Sequence, residues 1–137
     1  MSAASNYLEN KVLDHVLGEA TYTQPTTIYL ALFTNTSGSA ATNLEAGTLT
    51  DEVSTSGTAY GREEVTFNPA SGGTSATDAT VTFATATANW GTITHVAIMD
   101  AATSGNVLFY GAVTTAKTIE TGDTFQVSTG NLSVSLA

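Results

Sequence analysis

The residues whose types permit chemistry are two histidines, two pairs of adjacent carboxylates, and hydroxyl-rich glycine runs. His15 follows Asp14, with Lys11 four residues earlier, and reads as part of a solvated helix face. His95 lies inside the run WGTITHVAIMD. A general acid or base needs a partner group and a substrate within reach, whereas a lone strand histidine usually just satisfies one hydrogen bond. Strict alternation places His95 on one face with Ile93 and Ala97, and Thr94, Val96 and Ile98 on the other. Glu63 and Glu64 are strand neighbours and point to opposite faces, so they cannot act as one acid–base pair. Asp51 and Glu52 fall in a polar segment with no evident means of fixing their geometry.

The other candidates are weaker. No G-x-S-x-G elbow is present to expose a serine nucleophile. The runs Gly57 to Gly61 and Ser71 to Thr74 lack the lysine and the strand-to-helix context of a phosphate loop. Asp100 with Asn106, or Asp123 near Glu120, could offer oxygens to calcium, but the dense spacing of a dedicated site is missing. Capping or turn hydrogen bonds explain both pairs better. Trp90, Tyr110, Tyr60 and Tyr22 could stack on a sugar ring. Trp90–Gly91, however, stands at the entrance of an apolar strand, where a large ring plugs one end of a core. No catalytic, cofactor-binding or metal-ligating residue is therefore expected, and no cofactor.

The elements that would carry these residues are mostly strands. A helix over about 5–17 is expected from Leu8, Val12, Val16 and Leu17 at helical spacing, with Leu13 flanking the stripe. Asn6 and Glu9 resemble a capping box, and Gly18 is placed to end the helix. Thr27 to Thr34 (TIYLALFT) alternates Ile28, Leu30, Leu32 against Tyr29, Ala31, Phe33. A strand apolar on both faces needs two covers, and the helix is the expected one on the side away from the core, the alternative being a helix used mainly to reach a neighbouring subunit. The long polar stretch 35–58 reads as a loop or arm with Leu44, Leu49 and Val53 as isolated apolar points, either ordered by contact with a partner or a floppy surface insertion.

From Ala59 onward the signal is β. Tyr60 to Asn68 sets Val65 and Phe67 inward and Arg62, Glu64 and Thr66 outward. Val81 and Phe83 point inward from Ala79 to Ala84. Thr92 to Met99, Val107 to Val113, Thr124 to Val127 and Leu132 to Leu136 complete the set, separated by turn residues. The expected fold is all-β: an antiparallel β-sandwich or jelly roll of about seven to eight strands with one N-terminal α-helix. Residues 1–137 are expected to form a single β-sandwich domain.

Composition narrows the function. Charged residues make up 11% of the chain, and Lys11, Arg62 and Lys117 face twelve acids for a net charge of -9. Such a chain has almost no cations to displace counterions from phosphates, so neither nucleic acid nor an anionic membrane is an expected partner. The absence of cysteine excludes disulfides and thiolate chemistry. MSAASNYLENK has neither the basic nor the apolar region of a signal peptide, and no apolar run approaches a membrane span. Neutral polar surfaces of this kind suit a protein packed against copies of itself or other subunits.

SNYLENKVLDHVLG, TIYLALFT, Ala59-Tyr60-Gly61-Arg62 and VTFATATANWGTITHVAIMDAATSGNVLFYGA together carry a resemblance. The chain resembles a family of small tailed-phage virion structural proteins, described as tail-fibre-like or as capsid cement or decoration proteins. The resemblance implies a non-enzymatic virion component made in the host cytoplasm. The favoured expectation is a cement protein on the capsid surface, bound to the major capsid protein as a homo-oligomer, with a trimer suited to symmetric sites. The alternative is a tail fibre, tail-tip or baseplate component beside neighbouring tail proteins and involved in host adsorption.

Overall fold

The computed structural model describes residues 3–136. In chain order the elements are β1 (Ala3–Ala4), α1 (Asn6–Val16), β2 (Tyr29–Phe33), α2 (Ala40–Glu45), β3 (Glu63–Glu64) and β4 (Thr74–Ala76). They continue with β5 (Val81–Thr82), β6 (Gly91–Met99), β7 (Val107–Ile119), β8 (Gln126–Val127) and β9 (Ser133–Ser135). A five-stranded sheet runs in the order β1-β7-β6-β2-β3, and two-stranded sheets β4-β9 and β5-β8 accompany it. These pairings are antiparallel. The result is the expected mostly-β, sandwich-like arrangement with one N-terminal helix.

β2 divides the interior into two cores, because both of its faces are apolar. Leu30 and Leu32 face a core shared with Val65, Val81, Phe83, Trp90, Ile98 and Phe125. Ala31 and Phe33 face the other, with Leu44, Ala97, Met99 and Val107. The cover on that second side is α2, through Leu44, and not the N-terminal helix. The stretch 35–58 is thus an integral layer where an arm was expected. Its residues 51–53 lie along the end of β2, with Thr34 N donating to Asp51 O at 2.9 Å and Val53 N to Leu32 O at 3.1 Å.

α1 also departs from its expected stripe. Leu8 alone is fully buried, Val12 is half-buried, and Val16 and Leu17 are 73% and 72% exposed. Ser5, not Asn6, is the N-cap: its hydroxyl accepts from Leu8 N at 3.2 Å and donates to Val107 O. Both residues have a capping side chain, so the choice falls to the one that can also reach β7. Gly18, with φ +83°, ends the helix as expected.

Two irregularities in the β6–β7 pairing overturn simple alternation. Ile98 pairs with Phe109 but Met99 with Val107, so Leu108 is an extra residue, and both Leu108 and Phe109 join the larger core. Ile93 pairs with Lys117 whereas His95 pairs with Ala112. That shift turns Ile93 into the larger core with Ile98, away from Ala97, contrary to the expected sharing of a face.

Trp90 closes one end of the larger core. It is 5% exposed, meets Tyr60 edge-on at 5.4 Å and Phe83 at 6.4 Å, and donates its indole N–H to Thr58 O at 2.8 Å. Truncation leaves a cavity and removes one of two hydrogen bonds to Thr58 O, whose other donor is Thr87 N at 3.1 Å, so Trp90→Ala should destabilise the fold by about 4 kcal/mol. Denaturant unfolding followed by circular dichroism checks this; a loss below about 1 kcal/mol would contradict the buried-plug role.

Candidate functional site

The polar centre of the molecule forms around Arg62, which alternation had pointed outward. Its side chain is 3% exposed. Nε donates to Glu52 Oε1 at 2.7 Å and Nη2 to Glu52 Oε2 at 2.8 Å, a two-point geometry that suits a planar guanidinium. Nη1 donates to Ala101 O and Ser104 O, each at 2.7 Å. Tyr60 adds its hydroxyl, donating to Glu52 Oε1 at 3.0 Å and accepting from Leu32 N at 3.0 Å. One cluster therefore fastens the segment holding Glu52, the chain at 60–62, the end of β2 and the loop between β6 and β7.

The backbone is shaped to serve this cluster. Ala59, just before Tyr60, has φ +62°, and Ser104, whose carbonyl accepts from Arg62, has φ +53°. Residues with a Cβ seldom adopt that region unless their surroundings hold them there. At Gly105, φ +74°, an added Cβ would lie 2.5 Å from Asp100 Oδ1 and 2.7 Å from Ala101 Cβ. The turn thus requires glycine, and Asp100 completes it by accepting from Asn106 N at 2.7 Å and Asn106 Nδ2 at 2.8 Å.

Electrostatics matches the geometry. Burial alone would lower the Arg62 pKa, but the Glu52 hydrogen bonds and charge outweigh it, and the pKa is raised above its ordinary value. Burial, followed by the Glu52 carboxylate, pushes the Tyr60 phenol well above the usual range. Neither group is poised to exchange a proton near neutral pH. The cluster can hold segments together and has no free group to act on a substrate.

The residues singled out from sequence are dispersed. His15 is exposed, and its Nδ1 accepts from Tyr22 N at 3.0 Å, tying the chain after α1 back to the helix. His95 is half-buried on the α2 side, its Nδ1 2.8 Å from Thr94 Oγ1. Burial lowers its pKa, opposed by Asp51. Asp51 is 6% exposed and accepts from Ser37 N at 3.0 Å and from the Ser37 hydroxyl, so the acidic pair 51–52 is firmly fixed. Glu63 and Glu64 lie on β3, and Asp123 accepts from Glu120 N at 2.9 Å. Among the described residues no group of three or more His, Asp or Glu side chains is arranged to hold a metal ion.

A sugar platform of aromatic rings is not formed. Tyr60 and Trp90 are buried and hydrogen-bonded, while Tyr22 borders the larger core and Tyr110 the smaller. Over Trp90 lies an open groove of about 600 Å³ lined by hydroxyls including Thr34, Thr36, Thr50, Ser54, Thr92 and Thr94. Four of these threonines are already engaged: Thr34 with Thr36 at 2.9 Å, Thr92 with Thr118 at 2.9 Å and Thr94 with His95 at 2.8 Å. Sequence reasoning missed Arg62 as the organising residue. Its signal was that it is the only arginine, next to Tyr60 and Gly61, in a chain with three cations.

Removing the guanidinium leaves the Glu52 carboxylate with only the Tyr60 hydroxyl and no opposite charge, and leaves the carbonyls of Ala101 and Ser104 without their donor. Arg62→Ala should lower stability by about 3–5 kcal/mol, and Arg62→Met/Glu52→Gln by less than the two single changes summed. Equilibrium unfolding of Arg62→Ala, the double variant and its two single changes checks both; additive losses would contradict the coupling. The raised Tyr60 pKa gives a further expectation. Its stabilisation is complete below the unfolded value of about 10 and is lost as pH rises from there toward the folded value, since only the unfolded state releases the proton. Unfolding curves from pH 8 to 11 should show a fall beginning about pH 10 that Tyr60→Phe reduces.

No helix among the described residues is long and apolar enough to cross a membrane. No curated protein matches the chain. A family model described as podophage GP4 fiber I protein gp80 matches residues 3–135. That match covers nearly the whole sandwich, both of its cores and the Arg62 cluster: the chain belongs to this family of podophage fibre proteins and is a phage virion structural protein.

Proposed function

We propose that the chain is a non-enzymatic building block of a phage fibre, a single sandwich domain that works by packing against neighbouring virion proteins. The observation that carries this reading is the use made of its reactive side chains. Arg62, Glu52, Asp51, Asp100 and Asp123 are all engaged in bonds that shape the protein itself. A catalytic centre needs such groups free and converging on a pocket. The fibre placement draws on the family description, which favours the tail over the head.

Capsid cement on the head surface is the second reading, favoured by the charge-poor composition, 11% charged residues, which suits continuous packing on a shell. In either place a closed homo-oligomer, with a trimer the natural choice at a threefold position, would match virion symmetry. The partner is then a tail protein in the first case and the major capsid protein in the second.

Antibody-gold labelling and quantitative mass spectrometry of purified virions should find the chain on the tail, in far fewer copies than the major capsid protein. Labelling over the head, with copy number approaching that of the capsid subunit, would overturn the fibre placement in favour of cement. His95→Ala should leave particle assembly and adsorption at wild-type levels; a tenfold loss of adsorption by correctly assembled particles would contradict the non-chemical role.

A further inference from the structure

The second half of α1 carries a surface that the fold does not use. Leu13, Val16 and Leu17 are 56%, 73% and 72% exposed, and their i, i+3, i+4 spacing places them on one face. Leu8 and Val12 occupy the inward face. We propose that this outer stripe docks a second virion protein, one that presents apolar side chains bordered by lysine or arginine; the inference rests on the virion reading above.

Charge identifies the partner's chemistry. Glu9 heads the stripe one turn before Leu13, Asp14 flanks it, and Glu19 follows its end; all three are exposed. Lys11, the helix's only lysine, falls on the other side and lies over the Tyr7 ring at 5.6 Å. The stripe is therefore apolar with an acidic border, on a chain of net charge -9. A second copy docking through the same stripe would bring like-charged borders together without matching cations, which disfavours self-association there. A cationic partner gains attraction and orientation from the same border.

The stripe is also held rigid. Ser5 fixes the start of the helix to β7, and Glu19 N and Ala20 N bond to Asp14 O at 2.8 and 3.1 Å beyond its end. Tyr22 N bonds to His15 Nδ1 at 3.0 Å. A helix anchored on both sides presents its surface without an ordering cost at docking.

The test uses virions produced without the chain and the purified full chain added back at low and high salt, with bound copies counted by mass spectrometry. Wild type should rebind, and less well at high salt. Leu13→Ser/Val16→Ser/Leu17→Ser should lower rebinding at least tenfold with an unchanged circular dichroism melt. Glu9→Gln/Asp14→Asn/Glu19→Gln should weaken rebinding and flatten its salt dependence. Rebinding of the serine variant at the wild-type level overturns the docking surface. A change in the free chain's sedimentation on the serine substitutions overturns the foreign partner in favour of a second copy. Tighter rebinding of the carboxylate variant overturns the cationic chemistry. Absence of the chain from wild-type virions overturns the virion reading and the partner together, whereas its presence with the serine variant fully retained overturns the stripe alone.

Discussion

β2 is apolar on both faces, and the rest of the molecule is arranged to satisfy that constraint. Leu30 and Leu32 cannot be buried without also finding a cover for Ala31 and Phe33 on the opposite side. The first face is covered by the short sheets and the aromatic group of Tyr60, Phe83, Trp90 and Phe125. The second is covered by a single turn-and-a-half of helix, α2, which offers little besides Leu44 and Ala40. A cover so poor in apolar surface gains little from burial alone, so polar bonds must fix it in place.

Those bonds explain the unusual use of charge. A buried ion pair is a costly device unless both partners are fully hydrogen-bonded, and the Glu52–Arg62 pair meets that condition through Tyr60 and two loop carbonyls. It joins the segment that carries α2 to the loop between the two longest strands. Asp51 reinforces the same segment through Ser37, and Asn35 accepts from Ala40 N at 2.9 Å, supporting the start of α2 where Ser39 makes no side-chain cap bond. Structural constraint thus falls on residues that, in an enzyme, would be the ones left free.

The arrangement suits a virion structural protein. The five-stranded sheet ends in strands of two residues, β1 and β3, a length that limits uncontrolled strand pairing at those strands. The acidic surface opposes non-specific self-association as well. Surfaces left open include the outer face of α1 and the polar groove above Trp90.

The local periods are legible in the sequence: the two-faced β2, inward Val65, Val81 and Phe83, the end of α1 at Gly18, and Trp90 as a core plug. These follow from side-chain alternation and from backbone conformations that few residues adopt, both of which are properties of adjacent residues. Composition, with three cations against twelve acids, sets the expectation that nucleic acid is not a partner without any structure. Tertiary structure decided everything that depends on which distant segment arrives at a given face. Arg62 was read as exposed because alternation sees only its neighbours, while Glu52 and the carbonyls of Ala101 and Ser104 reach it through the fold. Stretch 35–58 was read as an arm because Leu44 and Val53 are isolated along the chain, although each fits against β2 or its neighbours in space. Ile93 changed faces because a bulge, set by the pairing of β6 with β7, shifts the phase of alternation. Spacing places Val16 and Leu17 in one helical stripe with Leu8, but only the position of β7 decides how much of a helix has anything to pack against.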